Sequence, residues 1–456
     1  MEGRTTNVSW LDRLGLGRPD LRAWAMYDWA VSSLQAVVLT AVFPIFFVRV
    51  AAAGLPESRG TQALATANTI AAIIVAVLSP ILGAISDYAA AKKRMLAGSM
   101  LVGATATAGM FFIQRGDLAL ASTLFVIAII GATASVVFYE ALLPHIASPA
   151  EVDRVSSAGY AMGYIGGGLL LAVNLAWIQR PDLFGLPSGE GLSDQAASLP
   201  ARLAFVSVAV WWVVFSLPLF RRVPEPARTL EPDEPGGRSI VATSFQRLGE
   251  TMRQLMGFRQ AFLMLLAFLI YNDGIQTIIK MATAYGTEIG IGQSALITAV
   301  LMVQFVGVPF AFLFGMLASR IGAKRSVFVG LVAYTAISII GYFMTTATHF
   351  FILAGLVGMV QGGTQALSRS LFATLIPAHK SGEFFGFYSV FEKFSSIFGP
   401  LLFSVTIALT GSSRNAILSV IAFFAVGAAL LALVDVEAGR RAARDAEAGV
   451  RPAARA

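Results

Sequence analysis

The stretch Gly83-Ala-Ile-Ser-Asp-Tyr-Ala-Ala-Ala-Lys-Lys-Arg94 returns in altered form 232 residues later, as Gly315-Met-Leu-Ala-Ser-Arg-Ile-Gly-Ala-Lys-Arg325. Each copy ends a long apolar block with a glycine and then a basic cluster. A second related pair, Glu140-Ala-Leu-Leu-Pro144 and Phe372-Ala-Thr-Leu-Ile-Pro377, is displaced by 233 residues. Two matches at nearly the same offset indicate that the chain consists of two related halves.

The apolar residues are gathered into blocks long enough to cross a bilayer, which takes about 20 residues as a helix. The chain has 456 residues, of which 56% are apolar and only 13% are charged. We therefore predict an all-α membrane protein with twelve transmembrane helices in two pseudo-symmetric six-helix bundles. The blocks cover residues 23–49, 63–86, 95–114, 118–145, 156–178, 201–220, 259–283, 292–318, 327–346, 350–376, 384–410 and 415–435.

The polar segments divide the chain into five parts. We predict a cytoplasmic N-terminal segment (1–22), an N-terminal bundle (23–220), a cytoplasmic linker (221–258), a C-terminal bundle (259–435) and a disordered cytoplasmic tail (436–456). In the linker, Phe245, Leu248, Met252 and Leu255 fall on one helical face. This pattern is typical of a helix on the membrane surface, and a solvated linker helix is the alternative.

The basic residues set the orientation. With both termini placed in the cytoplasm, 24 Lys and Arg residues lie on the cytoplasmic side and six on the other. The positive-inside rule therefore predicts cytoplasmic termini, most simply in the plasma membrane of a bacterium. Anionic lipid accounts for the net charge of +7, so no nucleic-acid partner is predicted.

Several other classes of function find no support in the residues. The chain has no cysteine, and its three histidines are far apart in sequence, so no metal site or cofactor is predicted. No Gly-Lys pair is available for a phosphate-binding loop, and no channel-filter motif occurs. We see no nucleophile with a matching base and do not expect an enzyme.

The repeated loop after the second block is a candidate gate. Gly83 permits close helix contact, and Asp87 can pair with a cation or with a helix N-terminus in the other half. The alternative is that the basic residues only fix the topology. The candidate gating residues are Gly83, Asp87, Lys92, Lys93, Arg94, Arg320, Lys324 and Arg325.

Charged side chains inside the spans are the main candidates for transport, because each costs roughly 2.5–3.5 kcal/mol to insert. Asp273 lies near the predicted midplane beside Tyr271 and Asn272, so we predict that it binds a substrate ammonium or a transported proton. A structural ion pair is the alternative. Asp28, which lies nearer the cytoplasmic end of the first helix between Tyr27 and Trp29, is a further candidate for substrate binding. The alternative is that this segment is an aromatic anchor at the membrane interface.

The remaining charges in the spans are of both signs. Arg369 and Lys393 are expected either to bind a substrate carboxylate or to pair with Glu140 and Glu392, and Lys280 to reach the interface. The candidate substrate-binding residues are Tyr27, Asp28, Trp29, Tyr139, Glu140, Tyr271, Asn272, Asp273, Gln365, Arg369 and Lys393.

Motifs spread from residue 23 to residue 400 resemble the vacuole-effluxer-like family of the major facilitator superfamily. They are Ala23-Trp-Ala-Met-Tyr-Asp-Trp29, Phe138-Tyr-Glu-Ala-Leu-Leu-Pro-His145, Gly159-Tyr-Ala-Met-Gly-Tyr-Ile-Gly-Gly-Gly168, Tyr271-Asn-Asp-Gly274, Gln361-Gly-Gly-Thr-Gln-Ala-Leu-Ser-Arg369, Phe385-Gly-Phe-Tyr388 and Lys393-Phe-Ser-Ser-Ile-Phe-Gly-Pro400.

This resemblance implies the major facilitator fold and, from the fungal members, release of amino acids from the vacuole. We therefore expect a monomeric secondary transporter of a small, amino-acid-like solute that works by alternating access, with protons as a candidate coupling ion. The alternatives are a facilitator for another small polar solute such as a sugar, or a protein of this fold that moves lipid or transports nothing.

Overall fold

The chain is almost entirely helical in the computed structural model. The structure describes residues 10–55, 57–88, 90–189, 191–227, 229–230, 252–288, 291, 293–395, 398–410, 412–448 and 451–452. Within these residues, eleven helices are long and apolar enough to cross a membrane. The chain is thus a multi-pass integral membrane protein.

The N-terminal half contains six long helices. The first, α1, runs from Pro19 to Ala51 and includes π-helical turns on both sides of Pro44, where the missing proline N–H interrupts the normal hydrogen bonding. The others are α2 (Glu57–Tyr88), α3 (Lys92–Gly109), α4 (Leu118–Ile146), α5 (Val152–Gln179) and α6 (Asp194–Arg222).

The C-terminal half repeats this arrangement with α7 to α12. These are α7 (Arg259–Glu288), α8 (Gln293–Ile321), α9 (Ala323–Tyr342), α10 (Ala347–Leu375), α11 (Ser381–Phe394 and Phe398–Thr410) and α12 (Ser413–Ser419 and Ile421–Ala432). All twelve predicted blocks are matched by helices. The eleventh is described as two shorter segments, and neither is long enough to span a membrane alone.

The two halves meet through equivalent pairs of helices. The first segment of α11 packs against α2, and α5 packs against α8, so each contact becomes the other when the halves are exchanged. Additional contacts join α5 to α10 and α4 to α11. The fold is therefore two pseudo-symmetric bundles. We call the side on which α1 begins and α12 ends the terminal face.

The described part of the C-terminal tail differs from the prediction. Val436–Ala448 forms a helix, α13, so the prediction of disorder is wrong for this stretch. Asp435 caps it by accepting a hydrogen bond from the backbone N–H of Ala438, 2.9 Å away. The buried face consists of Gly439 and Ala443. Glycine and alanine are only weakly hydrophobic, so the many charged residues on the opposite face make the stretch look polar throughout, which explains the wrong prediction.

The linker is described only in part. Phe245 and Leu248 of its predicted amphipathic helix lie outside the described residues, whereas Leu255 is fully buried. Thr229–Leu230 (β1) pairs antiparallel with Arg451–Pro452 (β2), the two-residue strand that follows α13. The linker and the C-terminal tail are thus joined to each other.

Candidate functional site

Arg369 lies at the centre of a cluster of buried charges between the two halves. It belongs to α10 of the C-terminal half, and its side chain is 2% exposed. Its guanidinium is 3.3 Å from Asp28 on α1 and 3.7 Å from Glu140 on α4. The predicted pairing of Arg369 with Glu140 is therefore present, and Asp28 is a second partner.

Polar groups of α5 complete the coordination of this guanidinium. Arg369 donates from Nε to the Ser156 hydroxyl and from a terminal nitrogen to the Ser156 carbonyl, each over 2.9 Å. Ser156 also donates to the carbonyl of Ala366 on α10, 2.7 Å away. No sequence signal singled out Ser156, because one serine in an apolar block is ordinary. Yet this residue binds the guanidinium twice.

Aromatic rings surround the cluster and orient Asp28. The Tyr139 hydroxyl donates to the Asp28 carboxylate over 3.0 Å, and Trp24 stacks on the Tyr139 ring with the centroids 4.4 Å apart. The guanidinium of Arg369 lies 4.5 Å from the centroid of the Tyr160 ring and 5.1 Å from that of Trp24. These rings exclude water and contribute cation–π attraction. Asp28 is thus part of the inter-half cluster and has a buried partner.

Glycine at position 159 allows the helices around the cluster to approach. A Cβ atom there would lie 2.7 Å from the Asp28 carboxylate and 3.0 Å from an Arg369 nitrogen. One turn along α5, a Cβ at Gly163 would lie 2.6 Å from the Ser32 hydroxyl on α1. The glycine spacing therefore serves close packing of α5 on α1 and leaves room for the ion pair.

The other candidates from the first, tenth and eleventh helices differ in their position relative to the cluster. Gln365, one turn before Arg369 on α10, and Lys393, adjacent to Glu392 on α11, are half-buried. Glu392 is close enough to act electrostatically on Glu140. Tyr27 is buried with its ring 5.0 Å from that of Tyr139, whereas Trp29 stacks on Trp211 of α6, away from the cluster. The side chain of Lys280 lies outside the described part of the structure.

Asp273 occupies a separate position within the C-terminal half. It is fully buried, and its carboxylate accepts hydrogen bonds from the backbone N–H groups of Phe398, at 3.0 Å, and Gly399, at 2.8 Å. These two residues begin the second segment of α11. The N–H groups at the start of a helix have no partner within the helix and stabilise a negative charge placed beside them. The structure thus does not bring Asp273 together with Arg369.

The two residues that precede Asp273 also form hydrogen bonds within the C-terminal half. Asn272 donates to the hydroxyl of Ser395 over 2.6 Å, and the Tyr271 hydroxyl shares a hydrogen bond of 2.6 Å with Ser368 on α10. All three residues therefore connect α7 to other helices of its own half. We call Tyr271, Asn272 and Asp273 the α7 clamp.

The candidate gating residue Asp87 bridges the halves at the terminal face. It forms an ion pair with Lys92 and accepts a hydrogen bond of 2.8 Å from the backbone N–H of Glu383, at the start of α11. The partner in the other half is thus the N-terminus of α11, whereas the cation, Lys92, belongs to the same half as Asp87. A Cβ at Gly83 would lie 2.6 Å from the carbonyl carbon of Gly382, so glycine permits the close approach of α2 to α11.

Two lysines of the repeated loop have equivalent partners in the two halves. The Lys93 ammonium donates to the Phe220 carbonyl at the end of α6, at 3.1 Å, and Lys324 donates to the Ala432 carbonyl at the end of α12, at 2.9 Å. Both lysines therefore cap helix C-termini. The side chains of Arg94, Arg320 and Arg325 are exposed.

The terminal face is closed. Besides the Asp87 contact, Ser370 on α10 donates to Asp153 on α5 over 2.6 Å, and Ser381 on α11 donates to the Ala141 carbonyl on α4 over 2.8 Å. Together with the bonds of Arg369 to Ser156 and Asp28, these hydrogen bonds join the two halves on this side of the bundle. The halves are therefore held in contact there.

Comparison with known proteins identifies the family. The model of the family described as "Vacuole effluxer Atg22 like" matches residues 58–444. The chain is 40% identical over 416 residues to "Uncharacterized MFS-type transporter YxiO" of Bacillus subtilis, covering 91% of this chain and 94% of that protein. It is 26% identical over 316 residues to "Autophagy-related protein 22" of Yarrowia lipolytica, covering 64% of this chain and 51% of that protein.

Solved structures agree on the architecture. The proton:xylose symporter XylE superposes with a TM-score of 0.67 at 12% identity, over 91% of this chain and 95% of that chain, a likeness of fold alone. This is the fold and family of membrane transporters, which are not enzymes. The chain therefore belongs to the Atg22-like vacuole effluxer family and is a transporter of the major facilitator superfamily.

Proposed function

We propose that the protein is a secondary transporter that carries an amino-acid-like solute between its two halves by alternating access. The observation that carries this proposal is the buried pairing of Arg369 with Asp28 and Glu140, which joins the halves near the closed terminal face. For solute to pass on that side, α10 must separate from α1 and α4. Opening therefore depends on the charge state of these two carboxylates.

The charge balance around Arg369 favours a cationic group as the exchanging partner. Asp28 and Glu392 both act electrostatically on Glu140, and the cation that pairs with Glu140 is the guanidinium of Arg369. Excess negative charge in a poorly solvated interior is costly until a proton or an ammonium group neutralises it. A cation that binds Glu140 or Asp28 weakens their attraction to Arg369 and so favours opening.

A zwitterion with an aliphatic side chain fits this chemistry. Its ammonium group would meet the carboxylates, its carboxylate would meet Arg369 or Lys393, and the rings of Tyr160 and Tyr388 would offer apolar surface. The family description, which names vacuole effluxers, supports movement of solute out of a compartment. Protons are the coupling ion that we propose.

The orientation completes the proposal. The excess of basic residues on the terminal face supports a cytoplasmic location for that face and for both termini. The closed terminal face then corresponds to an outward-facing state. We propose that the protein is a monomer in the plasma membrane of a bacterium, the kind of cell in which its Bacillus subtilis relative occurs.

Flux into proteoliposomes tests this function. The purified protein is reconstituted and supplied with radiolabelled amino acids, peptides and sugars, with and without a pH gradient. We expect uptake of aliphatic amino acids that a pH gradient accelerates, and no such uptake with the Arg369→Ala variant. Uptake of sugars only, or movement of lipid headgroups without solute flux, would overturn the proposed substrate class.

A further inference from the structure

The C-terminal helix α13 packs on the terminal face of the C-terminal half and contacts more than the helix that precedes it. The backbone N–H of Asp435 donates to the side-chain oxygen of Gln260 at the start of α7, over 2.8 Å. Further along α13, Glu447 accepts a hydrogen bond of 2.7 Å from the backbone N–H of Ala378, between α10 and α11. Both ends of α13 are therefore attached to the C-terminal half.

The buried face of α13 packs closely on the same half. A Cβ at Gly439 would lie 2.9 Å from Cβ of Gln260, and Leu375 at the end of α10 contacts the same position. Ala443, one turn further, is 5% exposed. Glycine and alanine thus let the helix lie directly against the ends of α7 and α10.

Two features relate α13 to the N-terminal half. The side chain of Arg440 is only 31% exposed, and its guanidinium lies 3.5 Å from Glu437 on α13 itself and within electrostatic range of Asp153 on α5. Asp153 already joins the halves by accepting from Ser370 on α10. In addition, the strand β2 after α13 pairs with β1 in the linker that follows α6.

We propose that α13 is a strap that holds the terminal face closed, with Arg440 as its attachment to the N-terminal half. When α5 moves away from α10, the contact of Asp153 with Ser370 and its attraction to Arg440 are lost together. The strap therefore favours the closed state and sets how often the terminal face opens. This proposal concerns regulation and rests on the proposed alternating access.

Spin labels measure the opening directly. The chain has no cysteine, so Ala150→Cys in the α4–α5 loop and Ser319→Cys at the end of α8 give one exposed label in each half. Pulsed electron paramagnetic resonance then gives the distance distribution across the terminal face. The variants are Arg440→Glu, removal of residues 436–456, and Arg441→Glu as a control with the same charge change at an exposed position.

We expect the long-distance fraction to rise about fivefold or more with Arg440→Glu and with the truncation, and to stay unchanged with Arg441→Glu. Asp87→Asn, which weakens the contact of α2 with α11, reports whether the face opens at all. Opening in Asp87→Asn but not in Arg440→Glu overturns the strap alone. A single short distance in every variant overturns alternating access as well, and equal opening in Arg440→Glu and Arg441→Glu overturns the role of Arg440.

Discussion

The Arg369 cluster and the α7 clamp use buried carboxylates in different ways. Asp28 and Glu140 pair with a side chain of the other half, so their interactions break when the halves separate. Asp273 binds backbone N–H groups within its own half and can keep them while the halves move. A position near the midplane therefore does not by itself make a carboxylate a transport residue. What matters is whether its partner belongs to the other half or to its own half.

The largest expected effect is that of Arg369→Ala. Its removal leaves Asp28 and Glu140 buried without a cation, which typically costs about 3–5 kcal/mol in the free energy of unfolding. We expect flux to be lost and the unfolding temperature in detergent to fall sharply. Arg22→Ala, at an exposed position near the start of α1, is the control and should change neither. If the unfolding temperature of Arg369→Ala equals that of the unaltered protein, the cluster does not stabilise the closed state.

Glu140→Gln separates charge from packing in the cluster. The amide keeps the shape of the side chain but cannot take up a proton, so we expect flux driven by a pH gradient to fall about tenfold while solute exchange persists. Asp182→Asn, the same change from carboxylate to amide at an exposed position between α5 and α6, provides the control. If driven flux and exchange both remain at the level of the unaltered protein, Glu140 does not carry the proton.

Asp273→Asn examines the α7 clamp. An amide nitrogen in place of a carboxylate oxygen would face a backbone N–H, so we expect the free energy of unfolding to fall by about 1–3 kcal/mol. Driven flux and exchange should then decline together. A selective loss of pH-driven flux at unchanged stability would instead support the role in proton binding that the sequence predicts for Asp273.

Gly159→Ala crowds the cluster without altering a charge. The added methyl group would approach the Asp28 carboxylate and a nitrogen of Arg369, and such overpacking typically costs about 1–3 kcal/mol. Gly98→Ala on α3 is the control, since a Cβ there meets nothing within 4 Å. We expect only the first variant to lower the unfolding temperature and the flux. If the two variants have the same unfolding temperature and the same flux, the cluster tolerates the added methyl group.

Much of the site could be predicted from residue type and position. Asp28, Glu140 and Arg369 are charges inside apolar blocks, and the cost of burying them identifies them as residues with partners. Asp87 follows from the repeated loop. Ser156 and Arg440 could not be predicted, since a serine and a surface arginine are ordinary until folding places them beside a buried ion.

The sequence by itself determined the membrane location, the helical fold and the two related halves, because hydrophobic length and internal repetition are local properties of the chain. Only the tertiary structure decided which charges meet. In the folded protein Arg369 pairs with carboxylates of the opposite half, and Asp273 binds backbone N–H groups at the start of a helix. The helix α13 packs on the terminal face of the C-terminal half. These contacts join residues far apart in the chain, and their energy depends on burial and distance, which no single stretch of sequence contains.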